Sequence, residues 1–203
     1  MTLKNIILLL SAMACTGTAA AQQEETFDNN SWQWTESMSD AGKVYIVDGV
    51  MRLETNTPTS ITYEQVADLV STHAYLPMDP TAGFTITCDA KVAKIADDKY
   101  FGILLDYMDN MNFMCFTMSS NWAYLYKITE GKVTRKWKGQ LHLPKQKKAV
   151  LDIKITYAGG DLEIRVDDIQ AIHAKYAPIE SNGFGFFAYG KTKIDFDNVK
   201  ITY

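Results

Sequence analysis

The sequence predicts an all-β protein built as a two-sheet antiparallel sandwich. Apolar and polar residues alternate without interruption over residues 84–92, 151–157 and 162–167. A period of two turns successive side chains to opposite faces, so each stretch predicts a strand with one buried face. Many short strands at regular spacing, separated by turn residues, are typical of an antiparallel sandwich or barrel. No specific catalytic signature accompanies this pattern.

The first part of the chain contains one strong hairpin signal. A polar lead-in over residues 24–30 is predicted as an edge strand, and residues 31–34 as a strand with two tryptophans on one face. Asp48-Gly49 between two apolar runs predicts a hairpin over residues 43–53, because this dipeptide suits the tight turn of a two-residue loop. Residues 61–76 fit either two helical turns or an irregular strand, inserted at one end of the sandwich.

From residue 84 onward, short turns separate strands that cover most of the remaining chain. The run at residues 100–108 is continuously apolar, which predicts burial on both faces of that strand. The predicted strands are residues 84–92, 100–108, 112–118, 122–128, 132–140, 149–157, 162–166, 169–174, 182–189 and 193–203.

The start of the chain predicts export. Lys4, the apolar run at residues 6–10 and the Ala19-Ala20-Ala21 site form a secretory signal peptide over residues 1–21. The apolar run is too short to anchor the protein permanently in a membrane. We therefore expect a single sandwich domain over residues 22–203, exported to the periplasm or the cell surface.

Charge and cysteine content limit the classes of partner. The formal net charge of −4 disfavours nucleic acids and anionic membrane surfaces, because both need a basic patch. Membrane attachment is expected only if Cys15, which follows a weak match to a lipoprotein signal, is lipidated. Cys88 and Cys115 lie in apolar strand patterns, so we interpret them as buried thiols rather than as a disulfide pair.

The order of these elements resembles the concanavalin A-like (laminin-G-like) jelly-roll superfamily of lectins and glucanases. The resemblance covers about residues 27–203. A glycine-containing strand, an Asp/Asn turn and an aromatic strand follow one another as in that superfamily, and the later strands match its closing elements. The matching stretches are residues 100–106 with 112–116, 124–127, 162–168, 183–186 and 196–201.

The resemblance implies a glycan-related role without choosing among its kinds. Exported bacterial members include carbohydrate-binding modules, laminarinase-like glycosidases and keto-disaccharide hydrolases. The Glu-x-Asp-x-x-Glu pattern of laminarinase-like enzymes is absent from this sequence. Asp161, Glu163 and Asp167 share a strand face with Arg165, which is also the pattern of a solvated outer face.

A glycosidase needs two carboxylates about 5–5.5 Å apart for retention or about 6.5–9.5 Å apart for inversion. A pair from different strands remains open, for example Asp106 with Glu130 or Glu54. The sequence does not determine whether these residues meet.

Binding of a glycan requires aromatic side chains on which sugar rings stack, with polar groups beside them for the hydroxyls. Trp122, Tyr124 and Tyr126 alternate and therefore project from one face of the predicted strand. If that face is solvated, the three rings form a glycan-binding platform; if it faces inward, they belong to the core. Trp137, on a strand rich in Lys and Arg, is expected to be exposed and is a second candidate platform.

A structural calcium ion is the metal that the resemblance makes plausible, near the paired terminal strands. Asp195, Asp197 and Asn198 on the last strand supply the hard oxygen ligands that calcium prefers. No other cofactor is expected, since glycine-rich phosphate loops, nucleophile elbows and His-Glu-x-x-His motifs are absent.

The leading hypothesis is therefore an exported, non-catalytic carbohydrate-binding protein whose partner is a polysaccharide or oligosaccharide. The first alternative is a glycoside or keto-disaccharide hydrolase with a dispersed carboxylate pair. The second is an interaction module of the cell envelope without a small ligand.

Overall fold

The computed structural model describes residues 21–56, 70–97, 100–175 and 179–203. Most of the predicted signal peptide, including Cys15, lies outside the described residues, as does most of the predicted insertion. Within the described ranges, all of the regular secondary structure is β-strand, which confirms the all-β prediction. These ranges contain no helix long and apolar enough to cross a membrane.

Fifteen strands are described, most of them where the alternating patterns predict them. They are β1 (Gln22–Glu25), β2 (Ser37–Met38), β3 (Gly42–Val47), β4 (Val50–Asn56), β5 (Val70–Tyr75), β6 (Phe84–Lys94), β7 (Tyr100–Asp109), β8 (Asn112–Met118), β9 (Trp122–Thr129), β10 (Lys132–Gln140), β11 (Lys147–Ala158), β12 (Asp161–Val166), β13 (Ile169–Lys175), β14 (Gly183–Tyr189) and β15 (Lys191–Thr202).

The strands form two antiparallel sheets. The nine-stranded sheet has the order β13-β12-β11-β6-β15-β4-β3-β2, with β1 paired to β15. The six-stranded sheet has the order β10-β9-β8-β7-β14-β5. One interior cluster of apolar side chains contains residues of both sheets, so the two sheets pack face to face as a sandwich.

Two tight turns show how local sequence sets the strand register. Asp48 and Gly49 have φ angles of 52° and 71°, the left-handed conformations that a two-residue hairpin turn requires. Asp167 and Asp168 adopt the same conformations, with φ angles of 48° and 62°. Aspartate tolerates this region better than most residues, and the Asp167 carboxylate also accepts a hydrogen bond from the Asp152 amide at 2.9 Å.

The alternating residues point where the sequence predicts. In β6, Phe84, Ile86 and Cys88 are buried between the sheets, while the polar residues between them face outward. Burying a large apolar side chain contributes about 1.5–3 kcal/mol, so the alternation itself fixes which face turns inward.

The six-stranded sheet is unusual because its outer face is also apolar. Strands β7 and β14 are buried along most of their length, as the continuous apolar run at residues 100–108 predicts. A second apolar cluster lies on the side of this sheet that faces away from the nine-stranded sheet. Its buried members are Leu104, Tyr107, Phe113, Cys115, Tyr126, Ile128 and Phe187.

The prediction of a strand at residues 31–34 is wrong. The chain turns there: Gln33 has a φ angle of 58°, and its amide donates to the Asn30 carbonyl at 3.1 Å. The two tryptophans nevertheless stay together, because the Trp32 and Trp34 rings stack with centroids 6.3 Å apart. A spacing of two residues brings side chains together in a turn as well as on a strand.

Candidate functional site

Two rows of cross-strand neighbours cross the outer face of the six-stranded sheet, which is the face turned away from the nine-stranded sheet. Directly opposed residues project from the same side of a sheet, so each row can be followed through the strand register. The Tyr124 row runs through Lys138, Tyr124, Thr117, Gly102, Phe187 and Ser71. The Tyr126 row runs through Lys136, Tyr126, Cys115, Leu104, Gly185 and His73.

Trp122, Tyr124 and Tyr126 project together from the outer face rather than into the sandwich. Trp122 is 38% exposed and Tyr124 is half-buried, whereas only 2% of Tyr126 is exposed. The Tyr124 and Tyr126 rings stack with centroids 5.8 Å apart and planes 18° apart. Trp122 and Tyr124 therefore present ring surface to solvent. Tyr126 was predicted to stack on a sugar as well, but it is buried and instead supports the Tyr124 ring.

Two lysines of the neighbouring edge strand β10 lie over these rings. The Lys138 ammonium is 3.4 Å from the centre of the Trp122 ring, and the Lys136 ammonium is 5.0 Å from that of Tyr124. Each contact is a cation–π interaction, since the ring face carries the negative part of the aromatic quadrupole. The aromatic side chains are thereby held in a partly positive environment.

Trp137 does not lie on this platform, and its predicted exposure is wrong. It pairs with Leu125, whose side chain lies in the interior, and it packs half-buried against the interior cluster. The basic residues on either side of it point the other way, as the period of two requires. The charged composition of β10 therefore describes the outward face of the strand and not the face that carries Trp137.

Beside Tyr124, a buried hydroxyl lacks a hydrogen-bond partner. Thr117 is 3% exposed, and its Oγ1 makes no hydrogen bond to any residue that the structure describes. On its other side the row continues to Gly102, where an added Cβ would lie 1.8 Å from the Phe116 carbonyl oxygen, so only glycine fits. Leaving a polar group buried without a partner costs about 1–3 kcal/mol. Because the oxygen is closed off from the surface, the unpaired hydroxyl lowers stability rather than facing a ligand.

A small polar network borders Trp122 at the turn between β8 and β9. The Asp97 carboxylate accepts hydrogen bonds from the Ser120 hydroxyl and from the Asn121 amide, the latter at 2.6 Å, and pairs with the Lys145 ammonium. Lys145 and Ser120 lower the pKa of Asp97, since both favour its charged form. The network fixes the turn that begins the strand of the exposed tryptophan.

At the opposite edge of the same sheet is a groove that the sequence patterns did not reveal. It has a volume of about 470 Å³ and lies between the turn at residues 31–35 and strand β5. Its lining includes Ser31, Trp32, Gln33, Thr35, His73 and Tyr75. The two halves of this lining are about forty residues apart in sequence, so only the spacing of His73 and Tyr75 on one strand face could have hinted at it.

The predicted calcium ligands are paired with other side chains. Asp195 accepts two hydrogen bonds from the Arg52 guanidinium at 2.7 and 2.9 Å, and Asp197 pairs with Lys91 at 2.7 Å. The Asn198 side chain donates to Asp89 at 2.8 Å. Within the described residues, no group of three or more His, Cys, Asp or Glu side chains could hold a metal ion.

Comparison with solved structures assigns the architecture. The chain is similar to a β-glucanase from Bacillus licheniformis, with a TM-score of 0.62 and 10% sequence identity over 92% of this chain and 99% of that one. It is similar to the catalytic domain of an endo-1,3-β-glucanase from Thermotoga petrophila, with a TM-score of 0.57 and 10% identity over 91% and 99%. The chain has the concanavalin A-like jelly-roll fold.

A third jelly-roll neighbour is a protein of unknown function with a galectin-like fold from Bacillus subtilis. Its TM-score is 0.57 at 10% identity, and the match covers 91% of this chain and 96% of that one. No protein-family model matches the chain, and no curated protein matches its sequence. At this level of identity the likeness concerns the fold, and a fold of this kind is compatible with many functions.

Asp106 and Glu54, one of the two carboxylate pairs considered for catalysis, lie on different sheets of the jelly roll. Glu54 is on the nine-stranded sheet and pairs with Lys193 at 3.0 Å. Asp106 is on the six-stranded sheet, where it is buried, pairs with Lys127 and accepts hydrogen bonds from the amides of Glu180 and Ser181 at 2.9 and 2.8 Å. The structure therefore does not bring Asp106 and Glu54 together.

The acidic side chains of strand β12 lie on the outward side of the nine-stranded sheet, as their alternation suggests. Glu163 pairs with Arg165 at 2.8 Å on the outward side of the nine-stranded sheet, and Asp167 lies in the following turn. The Tyr124 and Tyr126 rows, in contrast, contain no Asp or Glu among their paired residues. These two rows therefore offer rings, hydroxyls and ammonium groups rather than a carboxylate pair.

Proposed function

We propose that this protein is an exported glycan-binding protein that binds a polysaccharide or oligosaccharide without hydrolysing it. The binding surface is the outer face of the six-stranded sheet at Trp122 and Tyr124. One observation carries the proposal: the Trp122 ring is 38% exposed on a sheet face, next to a second, half-buried ring. An exposed aromatic ring held on a strand is a rigid apolar surface with a polar edge, on which a ligand ring can stack.

The side chains around Trp122 match the chemistry of a sugar. The apolar C–H face of a pyranose stacks on an aromatic ring, while its hydroxyls need donors and acceptors beside that ring. Asn121 supplies an amide at the turn, and the Lys138 ammonium over the ring can pair with an acidic group of a glycan. The combination of one exposed ring with several polar groups favours a glycan over a purely apolar ligand.

Binding without hydrolysis is favoured by the composition of the two rows. Glycoside hydrolysis in its usual forms requires two carboxyl groups on either side of the scissile bond. The residues of the Tyr124 and Tyr126 rows include no Asp or Glu. Rings and hydroxyls suffice for recognition, and the two rows present these, while the Asp97 carboxylate beside Trp122 is paired with Lys145.

Export supports the same proposal. The sequence begins with a predicted signal peptide, and polysaccharides are encountered mainly outside the cytoplasm. We propose a periplasmic or cell-surface location, with attachment to the membrane only if Cys15 is lipidated.

A glycan array tests the proposal. The exported protein is screened beside Trp122→Ala, and beside Val150→Ala as a control, because Val150 is 58% exposed on the nine-stranded sheet. We expect at least one glycan to bind to the wild type and to the control and to lose binding in Trp122→Ala. Release of reducing sugar from the bound glycan would contradict the non-catalytic part of the proposal, and the absence of any bound glycan would contradict the whole.

A further inference from the structure

The groove between residues 31–35 and strand β5 has the properties of a second binding site. We call it the Trp32 groove. The Trp32 ring and the Tyr75 ring both line it, and Tyr75 is 54% exposed. Strand β5 is the edge strand of the six-stranded sheet, so the groove lies four strands away from β9, which carries Trp122. At about 4.8 Å per strand the separation is about 19 Å, too far for one sugar ring to touch both.

Trp32 is held rigidly by a series of stacked rings that begins in the core. Phe196 stacks on Phe186 with centroids 4.0 Å apart, Phe186 on Trp34 at 5.3 Å, and Trp34 on Trp32 at 6.3 Å. The three pairs have interplanar angles of 14°, 15° and 19°. Because buried Trp34 supports its ring, Trp32 loses little conformational freedom on binding a ligand, and this favours affinity.

The other wall of the groove is also fixed in place. The Tyr75 hydroxyl donates to the Met108 carbonyl at 3.3 Å. The His73 ring lies 4.2 Å from the Tyr107 ring, and its Nδ1 is 3.5 Å from the Thr35 hydroxyl. These contacts leave Nε2 of His73 without a partner among the described residues, and they set an aromatic ring and an imidazole side by side.

The lining indicates the chemical class of the ligand. The residues around the groove include the rings of Trp32 and Tyr75, three hydroxyls, one amide and one imidazole, and none of them is Asp, Glu, Lys or Arg. Burial lowers the pKa of His73, so its ring is neutral at neutral pH. A charged ligand would find no opposite charge in the lining, whereas an uncharged ring that bears hydroxyls finds both a stacking surface and hydrogen-bond partners.

We propose that the Trp32 groove binds an uncharged pyranosyl unit, as a second site independent of Trp122. Trp32 and Tyr75 contact the C–H surfaces of the sugar, and Gln33, Thr35 and His73 bind its hydroxyls. Since the two sites share no residue, this site can exist whether or not the surface at Trp122 binds a glycan.

Isothermal titration calorimetry tests the second site. The probes are uncharged hexa-oligosaccharides of glucose, mannose, galactose and xylose, added to the exported wild-type protein and to Tyr75→Ala, Gln33→Ala and Trp122→Ala. Tyr75 and Gln33 are exposed, so these variants keep the supporting aromatic stack intact. We expect at least one probe to bind and to lose at least about five-fold in affinity in Tyr75→Ala, through the loss of one stacking surface.

The outcomes separate the two sites. Binding that is weakened by Tyr75→Ala and Gln33→Ala but not by Trp122→Ala establishes the Trp32 groove, whatever happens at Trp122. The inference is overturned if no uncharged probe binds at millimolar concentration, or if a bound probe is insensitive to both groove substitutions. Loss of binding in Trp122→Ala alone would support the first site and reject the second.

Discussion

The Lys138 ammonium lies 3.4 Å from the centre of the Trp122 ring, on the outer face of the six-stranded sheet. The same ammonium is 5.7 Å from the Tyr124 ring. Lys138 thus occupies ring surface on which a sugar would stack. A glycan that stacks on this surface has to displace the ammonium. The displaced ammonium gains a new partner only if the glycan carries an acidic group.

Replacing Lys138 by alanine is expected to separate neutral from acidic glycans. An exposed cation–π contact contributes about 0.5–1 kcal/mol, so its removal should strengthen binding of a neutral glycan about two- to five-fold. Binding of a glycan with carboxylate or sulfate groups should weaken, because its charge partner is lost. Titration calorimetry checks both, with Lys132→Ala on the same strand as control. A neutral glycan that binds Lys138→Ala more weakly than wild type would contradict this account.

Thr117→Val is expected to raise the free energy of unfolding by about 1 kcal/mol, because it replaces a buried hydroxyl that has no partner by an apolar group of the same shape. Thr72 is the matched control: it is fully buried, and its hydroxyl donates to the Thr35 carbonyl at 2.7 Å. Thr72→Val should therefore destabilise by about 1 kcal/mol or more. Urea unfolding of both variants distinguishes the two cases, and equal destabilisation would show that Thr117 has a partner.

Asp106→Ala is expected to destabilise the protein by about 3 kcal/mol. The Asp106 side chain is completely buried, and its loss leaves the Lys127 ammonium and the amides of residues 180 and 181 without their acceptor. Glu54→Ala serves as the comparison, because the Glu54–Lys193 pair is exposed and contributes at most about 1 kcal/mol. Similar losses for both variants in urea unfolding would show that burial of Asp106 is not what stabilises this end of the sheet.

Asp152→Asn is expected to raise the melting temperature at pH 7. Burial raises the pKa of Asp152, and the carboxylates of Asp89, Asp168 and Asp167 raise it further. A folded-state pKa above the unfolded value means that the protonated form is favoured in the folded state, and this stabilisation is lost as the pH rises through that pKa. The advantage of the variant should therefore shrink as the pH falls through the raised pKa, and it should be absent below the unfolded pKa of about 4.

Thermal melts between pH 3 and pH 7 follow this difference, with Asp161→Asn on the neighbouring strand as control. If the difference in melting temperature between the variant and the wild type does not depend on pH, the charge of Asp152 is not its cause.

Both cysteines of the described sandwich are expected to be unreactive in the folded protein. Cys88 and Cys115 are free and buried, one between the sheets and the other on the outer face of the six-stranded sheet, and burial raises the pKa of both thiols. The thiolate is the reactive form, so a disulfide-exchange reagent should modify neither in native buffer and both in guanidinium. Fast modification of the native protein would show that one of these faces opens.

The strands could be predicted from sequence because burial of one face imposes a local period of two. Residues 84–92 and 151–157 follow that period, and the structure places both where it predicts. The turn at residues 31–34 was missed because two tryptophans spaced by two residues suit a strand equally well. Gln33 adopts a positive φ angle in this turn, and a glutamine residue does not signal that conformation in the sequence.

The candidate site was only partly predictable, because a period of two shows which residues share a face but not what covers that face. Trp122, Tyr124 and Tyr126 share a face as predicted, yet the first is exposed and the last is buried. Trp137 was misjudged because its charged neighbours describe the opposite face of its strand. The Trp32 groove depends on tertiary contacts between residues about forty positions apart, and these contacts leave no local pattern.

The most direct test of glycan binding at Trp122 is ¹⁹F NMR of the protein labelled with 5-fluorotryptophan. The chain contains four tryptophans, so four resonances report on Trp122, Trp32, the buried Trp34 and the interior Trp137. On titration with a glycan that binds in the array, we predict that the Trp122 resonance shifts while those of Trp34 and Trp137 stay in place. A saturating glycan that leaves the Trp122 resonance unmoved would contradict the account.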